Sequence, residues 1–163
     1  MIENISYTEH SFKESIIHVL KVKKDSVKLK LVLVKDKLTN SVAKHDSIFG
    51  INAGFFNIDT LKPFLGFKNS EHESPFISGL PVINFSDDSI SISEKPLNSF
   101  LQTGPLLLKD SIPNYDFTYF KGNEHLFDCY INASKNPRSA FAYDDNFYYF
   151  IAVDGRSKLS TGL

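Results

Sequence analysis

The chain has 163 residues, of which 42% are hydrophobic and 13% aromatic, and its formal net charge is −1. This composition excludes a disordered chain and predicts a single folded domain over residues 1–163. The near-zero net charge excludes a globally basic surface of the kind that binds a nucleic acid duplex. Cys129 is the single cysteine, which excludes an internal disulfide and favours an inert thiol over a catalytic one.

The N-terminus and the apolar runs bear on where the protein works. Residues 1–7 lack the basic start and apolar stretch of a signal peptide. No segment approaches the roughly 20 apolar residues that a membrane-spanning helix needs. We therefore expect no membrane span, and a cytoplasmic location for the sequence as written, or an extracytoplasmic one if a leader has been removed.

The first third of the chain predicts a hairpin followed by a helix. Residues 16–22 and 27–34 are rich in β-branched side chains, and four polar residues separate them. That pattern is typical of two antiparallel strands joined by a turn. Residues 39–47 predict a short helix, with Thr39 or Asn40 as its N-terminal cap.

The middle of the chain predicts further short strands. The apolar residues 48–52 predict a strand that ends in the turn-prone sequence Asn52-Ala53-Gly54. Residues 81–85 and 89–93 predict two strands around a pair of aspartates. The apolar residues 100–102 lead into Thr103-Gly104-Pro105, which is typical of a turn.

The C-terminal part predicts the most informative hairpin. Residues 136–143 and 150–156 are two strand-like runs separated by the turn sequence Asp144-Asp145-Asn146. A hairpin brings the start of its first strand beside the end of its second. Arg138 and Asp154-Gly155-Arg156 should therefore meet at one end of a sheet. Two guanidinium groups and a carboxylate that converge there suit a phosphate-bearing ligand.

Strands outnumber helices in this predicted order. The aromatic-rich residues 115–128 predict no element. Fifteen Phe and seven Tyr favour strands and aromatic core packing. We predict an α+β fold that is rich in strands, with a mixed or antiparallel sheet and a few short helices.

Four fragments, taken in order, resemble the phosphodiester glycosidase family, which includes the lysosomal uncovering enzyme. The fragments are Ile51-Asn52-Ala53-Gly54-Phe55-Phe56, Gln102-Thr103-Gly104-Pro105-Leu106, Asn136-Pro137-Arg138-Ser139-Ala140 and Val153-Asp154-Gly155-Arg156. Ser160-Thr161-Gly162-Leu163 is similar to the stretch that follows the last of these. Each fragment alone is a weak signal, but their shared order and spacing make the set fairly specific.

The resemblance implies an activity and includes one departure. The family hydrolyses the bond between an anomeric carbon and a phosphodiester oxygen. Because the leaving group is a phosphate monoester, neutralising its charge matters more than strong acid assistance. The family continues beyond the position of Leu163 into a helix and a glycine-rich acidic strand. The domain is therefore expected to lack that segment, and hydrolysis is expected only if the domain is functionally complete.

The resemblance implies catalytic roles for Arg138, Asp154 and Arg156. Arg138 would hold the phosphate in a bidentate contact, and the alternative is a surface arginine paired with Asp144 or Asp145. Asp154 would be the nucleophile, the general base or an electrostatic stabiliser, and the alternative is a turn aspartate. Arg156 would be a second phosphate ligand, or the partner that orients Asp154.

Six positions are expected to bind substrate: Asn52, Gly54, Thr103, Gly104, Ser160 and Thr161. Asn52 would bond a sugar hydroxyl or the phosphate, and Gly54 would expose backbone N–H groups to an anion. Both residue types also end strands, because they tolerate positive φ. Thr103 and Gly104 would cover the ligand or form a simple turn. Ser160 and Thr161 would contact phosphate or fray near the chain end.

The cofactor and partner expectations follow from the same site. The five histidines show no metal-ligand spacing and are expected on the surface or in packing: His10, His18, His45, His72 and His125. No metal site or other cofactor is predicted, although a divalent cation beside the phosphate is compatible with the chemistry. The expected ligand is a small-molecule or polymeric sugar phosphate. A missing C-terminal segment or a second copy is the expected macromolecular partner.

Two other interpretations stay open. The chain is alternatively a binding module that sequesters a phosphodiester, such as a nucleotide-derived signal or a teichoic-acid-like polymer, without hydrolysing it. Release of free sugar from candidate diesters separates the enzyme from the module. A third interpretation is a fragment whose exposed sheet edge needs a partner segment.

Overall fold

A computed structural model describes residues 4–34, 36–55, 60, 62–63, 65–87, 89–114, 120–121, 124–125, 135–157 and 160–162. These residues contain one α-helix, one short 3-10 helix and thirteen strands. The helices are the 3-10 helix Lys24–Ser26 and α1 (Leu38–Lys44). The strands are β1 (Ile5–Phe12), β2 (Ser15–Lys23), β3 (Phe67–Lys68), β4 (Glu73–Ser74), β5 (Val82–Phe85), β6 (Ile90–Ser93), β7 (Phe100–Gln102), β8 (Leu108–Lys109), β9 (Ile112–Pro113), β10 (Phe120–Lys121), β11 (Glu124–His125), β12 (Arg138–Tyr143) and β13 (Phe147–Val153).

Contacts within the chain divide it into two compact units. The first unit comprises Met1–Lys28, Val42–Asn52 and Cys129–Leu163, and the second comprises Leu29–Ser41 and Ala53–Asp128. The first unit contains a four-stranded sheet in the order β1-β2-β13-β12. The second contains a five-stranded sheet in the order β4-β3-β7-β5-β6 and the pairs β8-β9 and β10-β11. That one domain spans residues 1–163 stays a prediction.

The pairing of the strands agrees with the coarser fold class. Every strand pair in the described residues is antiparallel. With one α-helix beside these sheets, the fold is strand-rich and lies between α+β and mostly β. No helix in the described part of the chain is long and apolar enough to cross a bilayer. Cys129 lies outside the described residues.

The C-terminal hairpin is confirmed. β12 and β13 pair with Arg138 opposite Val153 and Tyr143 opposite Tyr148. Asp144 makes the turn, because its Oδ1 accepts the backbone N–H groups of Asn146 and Phe147, both at 2.8 Å. An aspartate that bonds the backbone two residues ahead forms an Asx turn. The start of β12 therefore lies beside the end of β13, as predicted.

The predicted N-terminal hairpin is half wrong. Residues 16–22 lie in β2, but residues 27–34 form no strand. β2 pairs instead with β1 on one side and β13 on the other. A strand has only two edges for pairing, so both are then occupied. The sequence did not predict β1, because almost all of its residues are exposed and it therefore shows no alternation of apolar and polar residues.

The helix is confirmed, and its predicted cap is wrong. Thr39 and Asn40 lie inside α1, whereas Asp36 lies just before it and accepts the backbone N–H of Lys37 at 2.6 Å. The predicted strand at residues 48–52 is also wrong, because these residues have an irregular backbone. Phe49 serves packing instead of pairing, whereas Ile48 is 69% exposed. The Phe49 ring packs on the ring of Phe150, with 5.0 Å between the centroids.

The four-stranded sheet buries one half of one face. Val22, Tyr148 and Phe150 are fully or nearly buried there. The Phe141 ring lies 5.4 Å from the Phe150 ring and 5.8 Å from the Tyr148 ring. These residues occupy cross-strand positions on the same face, because Phe141 is opposite Phe150 and Tyr148 is opposite Val22. The other half of this face carries polar side chains.

The five-stranded sheet forms the core of the second unit. Its central strand β7 lies between β3 and β5, and Phe100 and Leu101 are almost completely buried. The strands predicted at residues 81–85 and 89–93 are confirmed as β5 and β6, paired from Val82 opposite Ser93 to Phe85 opposite Ile90. Burying an aliphatic or aromatic side chain contributes about 1.5–3 kcal/mol, so the burial of Phe100 and Leu101 stabilises this unit.

Candidate functional site

Four polar side chains converge on one face of the four-stranded sheet. His18 in β2 lies opposite Glu9 in β1 and Ala152 in β13. Side chains alternate between faces along a strand, so Tyr7 and Glu9 share a face with His18. Asp154 follows β13 two residues after Ala152 and therefore points to that face. We call Tyr7, Glu9, His18 and Asp154 the His18 cluster.

The contacts within the His18 cluster define the hydrogen bonds of the imidazole. His18 Nε2 lies 3.1 Å from Asp154 Oδ2, and His18 Nδ1 lies 2.7 Å from the Tyr7 hydroxyl oxygen. A carboxylate can only accept, so the neutral ring carries its proton on Nε2 and accepts the Tyr7 hydroxyl at Nδ1. The Tyr7 ring also stacks on the imidazole, with an interplanar angle of 16°.

Glu9 adds a second carboxylate on the other side of the imidazole. Its Oε2 lies 3.4 Å from the Tyr7 hydroxyl oxygen and 3.6 Å from His18 Nδ1. Desolvation of the phenol, followed by the nearby Glu9 and Asp154 carboxylates, raises the pKa of Tyr7. Tyr7 is therefore a neutral hydrogen-bond donor. The described residues contain no group of three or more His, Cys, Asp or Glu that would hold a metal ion.

The two ends of the His18–Asp154 contact differ in exposure. The His18 side chain is 26% exposed, whereas the Asp154 side chain is 52% exposed. The imidazole is mostly covered while the carboxylate remains open to water. His18 can therefore orient Asp154 from its buried side, and the exposed side of the carboxylate can act on a molecule that arrives from solvent.

Backbone contacts hold Asp154 in place. Its N–H donates to the Ile16 carbonyl at 3.0 Å, and its carbonyl accepts the Ser160 hydroxyl at 2.7 Å. The next residue must be glycine, because a Cβ on Gly155 would lie 2.6 Å from the backbone nitrogen of Pro137. The sheet end thus brings the segment before β12 and the segment after β13 into direct contact.

Arg156 is anchored by an uncharged group. Its Nη2 donates to Asn136 Oδ1 at 2.8 Å, and its backbone adopts the left-handed region with φ 57°. In the described part of the chain no carboxylate forms an ion pair with this guanidinium. The partner of Asp154 is therefore His18, whereas one sequence-based alternative assigned that part to Arg156. The Arg156 cation stays available to an anion.

Arg138 lies at the same end of the hairpin but on the opposite face. It is opposite Val153, so backbone alternation directs it away from the face that carries Asp154. It is half-buried, and burial lowers the pKa of its guanidinium. The alternative that Arg138 pairs with Asp144 or Asp145 is wrong, because both aspartates lie at the other end of the hairpin. The hairpin thus brings the backbones of Arg138 and Asp154 close together, while their side chains point to opposite faces of the sheet.

Ser160 and Thr161 are tied to the start of β2. The buried Ser160 hydroxyl accepts the Ile16 N–H at 3.2 Å and donates to the Asp154 carbonyl. The Thr161 N–H donates to the Glu14 carbonyl at 2.9 Å. These bonds argue against fraying and give Ser160 a structural role beneath Asp154. Contact of either residue with a ligand stays a prediction.

The remaining predicted residues lie apart from the His18 cluster in the chain. Asn52 is exposed, belongs to the first unit, and makes no hydrogen bond to the cluster within the described residues. Gly54, Thr103 and Gly104 belong to the second unit. Gly54 has φ 75°, and a Cβ there would lie 2.8 Å from Leu101 Cδ1, which explains the glycine without a ligand.

Sequence patterns missed three members of the His18 cluster: Tyr7, Glu9 and His18. His18 was expected on the surface or in packing. The available signal was a histidine inside the apolar run Ile16-Ile17-His18-Val19-Leu20, where an imidazole needs polar partners. Tyr7 and Glu9 come from β1, a strand that the pattern did not show. Asp154 follows a predicted strand, but the pairing of that strand with β2 was not predicted, so the partners of His18 could not be read from the chain.

Comparisons with family models, curated proteins and solved structures give no match to this chain. The resemblance to phosphodiester glycosidases therefore stays a prediction that depends on the four sequence fragments.

Proposed function

We propose that the first unit binds a sugar-1-phosphodiester at the end of β13 and hydrolyses its glycosidic bond. One observation carries the proposal: His18 Nε2 lies 3.1 Å from Asp154 Oδ2 and holds a half-exposed carboxylate in one orientation. A general base needs this combination of a defined direction and access to water. Arg156 supports the proposal, since its guanidinium lies two residues away in sequence and has no carboxylate partner in the described residues.

The proposed reaction is a displacement by water at the anomeric carbon. The Asp154 carboxylate accepts a proton from the water as its oxygen forms the new bond to the anomeric carbon. The bond between that carbon and the phosphodiester oxygen breaks, and its electron pair leaves with the phosphate monoester. Arg156 neutralises the charge of this leaving group. The products are the free sugar and a phosphate monoester.

His18 is a positioning residue in this proposal. It donates through Nε2 to Asp154, and Tyr7 fixes the ring by donating to Nδ1. The arrangement parallels the use of a third group to orient a catalytic base. Loss of the imidazole would leave the carboxylate in place but free to rotate.

The central test measures free sugar released from a synthetic methyl diester of a sugar 1-phosphate. Asp154→Asn should lower kcat by roughly 10²–10⁴-fold, because the amide cannot accept the proton of water. Asp145→Asn is the matched control, since Asp145 is an exposed aspartate in the turn at the far end of the same hairpin. Equal rates in the two variants would remove Asp154 from the chemistry.

A second pair of variants separates positioning from folding. His18→Ala should lower turnover by up to roughly 100-fold, the cost of a misplaced catalytic group. His18→Gln retains a donor and should recover part of that loss at similar thermal stability. Loss of activity in both variants together with a lower melting temperature would assign His18 a purely structural role.

The binding module is the second candidate, and one observation favours it. Arg138 and Asp154 lie on opposite faces of the hairpin, so one phosphate cannot touch both in the usual sheet geometry. Arg138→Ala should abolish turnover only if this guanidinium reaches the phosphate, as the resemblance implies. Saturable calorimetric binding of the diester, unaffected by Arg138→Ala and without released sugar after long incubation, would favour a module built around Arg156.

A further inference from the structure

The strand β1 forms an exposed edge of the four-stranded sheet. It is eight residues long, and all of its residues after Ile5 are exposed. No strand in the described part of the chain pairs with its outer side. Natural edge strands are usually protected by lysine, proline or a bulge. The sequence of β1 contains neither residue, and its pairing with β2 is continuous from Ile5 to Phe12.

The hydrogen-bond pattern shows which groups of β1 face outward. Lys23 N donates to the Asn4 carbonyl at 2.9 Å, so these two residues form a hydrogen-bonded pair. Hydrogen-bonded pairs alternate along an antiparallel ladder. The even-numbered residues of β1 therefore bond to β2. The N–H and C=O groups of Ile5, Tyr7, Glu9 and Ser11 point away from the sheet.

We infer that β1 pairs with β1 of a second copy of this chain in antiparallel orientation, about a two-fold axis at Thr8. This register places Ile5 opposite Ser11 and Tyr7 opposite Glu9 of the second copy, so every outward-facing residue exchanges hydrogen bonds with another. The two four-stranded sheets then form one continuous sheet. The inference does not depend on the proposed function.

The alternative registers fit less well. An axis at Tyr7 leaves the outward groups of Ser11 unpaired. An axis at Glu9 leaves Ile5 unpaired and places two glutamates directly opposite each other, which destabilises a strand pair. The Thr8 axis avoids both costs. It places Thr8 opposite Thr8, a favourable cross-strand pair, and sets each Glu9 carboxylate opposite a Tyr7 hydroxyl.

The two-fold pairing would also join the two His18 clusters. Tyr7 and Glu9 point to the same face as His18, so Tyr7 and Glu9 of the second copy would lie beside those of the first. The polar strip on this face would then run from one Asp154 to the other. Each cluster would gain a carboxylate and a phenol from its partner.

Sedimentation equilibrium of the full chain over a concentration series tests the inference. The wild type should be in equilibrium between monomer and dimer. Thr8→Lys and Thr8→Glu each place like charges opposite each other, and each should raise the dimer dissociation constant about fivefold. An equimolar mixture of these two variants should form a heterodimer at least as strong as the wild-type dimer. Thr8→Val keeps a β-branched pair and serves as the matched control.

A proline variant tests the backbone bonds directly. Ser11→Pro removes an outward N–H that β2 does not use, so far-UV circular dichroism should stay unchanged. Because the lost bond occurs twice in the dimer, the dissociation constant should rise by about tenfold or more. A monomer at all concentrations, or a dimer that none of the charged and proline variants weakens, overturns the inference.

Discussion

Gln102 shows how much one side chain organises the second unit. Its Oε1 accepts the N–H groups of Ile77 at 2.8 Å and Gly66 at 3.2 Å. Its Nε2 donates to the carbonyls of Ile77 at 2.7 Å and Leu80 at 3.5 Å. The residue is 1% exposed, so no water replaces these bonds. A buried amide with all four positions satisfied links β7 to two loops.

Gln102→Leu should lower the free energy of unfolding by on the order of 3 kcal/mol. Leucine fills a similar volume but leaves buried backbone N–H and C=O groups without partners, and each such group costs about 1–3 kcal/mol. Urea unfolding followed by fluorescence measures the change. Asn98→Ala, on an exposed loop, is the control. A loss no greater than that of the control would contradict the role of the amide.

The resemblance had drawn attention to Gln102 as part of a site-like fragment. The structure gives a sufficient structural reason for a glutamine at this position. His18 is the opposite case, since a residue expected in packing or on the surface forms the centre of a polar cluster. In both cases the identity of the residue was visible in the sequence, but its partners were not, because they come from other elements.

At the scale of elements, the hairpin of β12 and β13 is the best-predicted feature. Its turn residue Asp144 accepts the Tyr149 hydroxyl at 2.6 Å in addition to two backbone N–H groups. The Tyr149 bond, then the backbone bonds, lower the pKa of Asp144, and the same contact raises the pKa of Tyr149. All these groups lie within six residues, so local sequence was enough to predict the turn.

The Asp144 contacts predict a pH-dependent stability. The pKa of Asp144 is lower in the folded state than in the unfolded state. Its stabilising contribution is therefore present above the unfolded pKa and is lost as the pH falls through the folded pKa. Asp144→Asn should be less stable than the wild type at neutral pH, and the difference should shrink in acid. Urea midpoints across an acid titration measure it, and a difference that does not change with pH would contradict the prediction. Asp145→Asn is the control.

At the scale of the whole chain, residues from its two ends come together. The Ser15 hydroxyl donates to the Gly162 carbonyl at 2.8 Å across a separation of 147 residues. Lys135 lies 2.9 Å from Glu14, and its hydrogen bond and charge lower the pKa of Glu14. Ser160 joins the start of β2 to the end of β13. The segment that carries Arg156 is therefore hydrogen-bonded to the hairpin formed by β1 and β2.

Ser160→Ala should lower the free energy of unfolding by about 1–2 kcal/mol. The buried hydroxyl makes two hydrogen bonds, and its loss leaves the Ile16 N–H and the Asp154 carbonyl without that partner. Hydrogen exchange at the Ile16 amide should accelerate. Ser139→Ala is the matched control, because Ser139 is an exposed serine in β12 of the same sheet. Unchanged hydrogen exchange at the Ile16 amide would contradict the role of the Ser160 hydroxyl in joining β2 to the end of β13.

The sequence alone was enough for the strand-rich class, the C-terminal hairpin, the β5–β6 pair and the approximate helix. Each of these is encoded by neighbouring residues through alternation, turn chemistry or helical spacing. Tertiary structure decided which strands flank β2, that Asp154 meets His18 instead of an arginine, and that Arg138 faces the other way. These outcomes depend on register between segments far apart in the chain, and a shift of one residue moves every side chain to the opposite face.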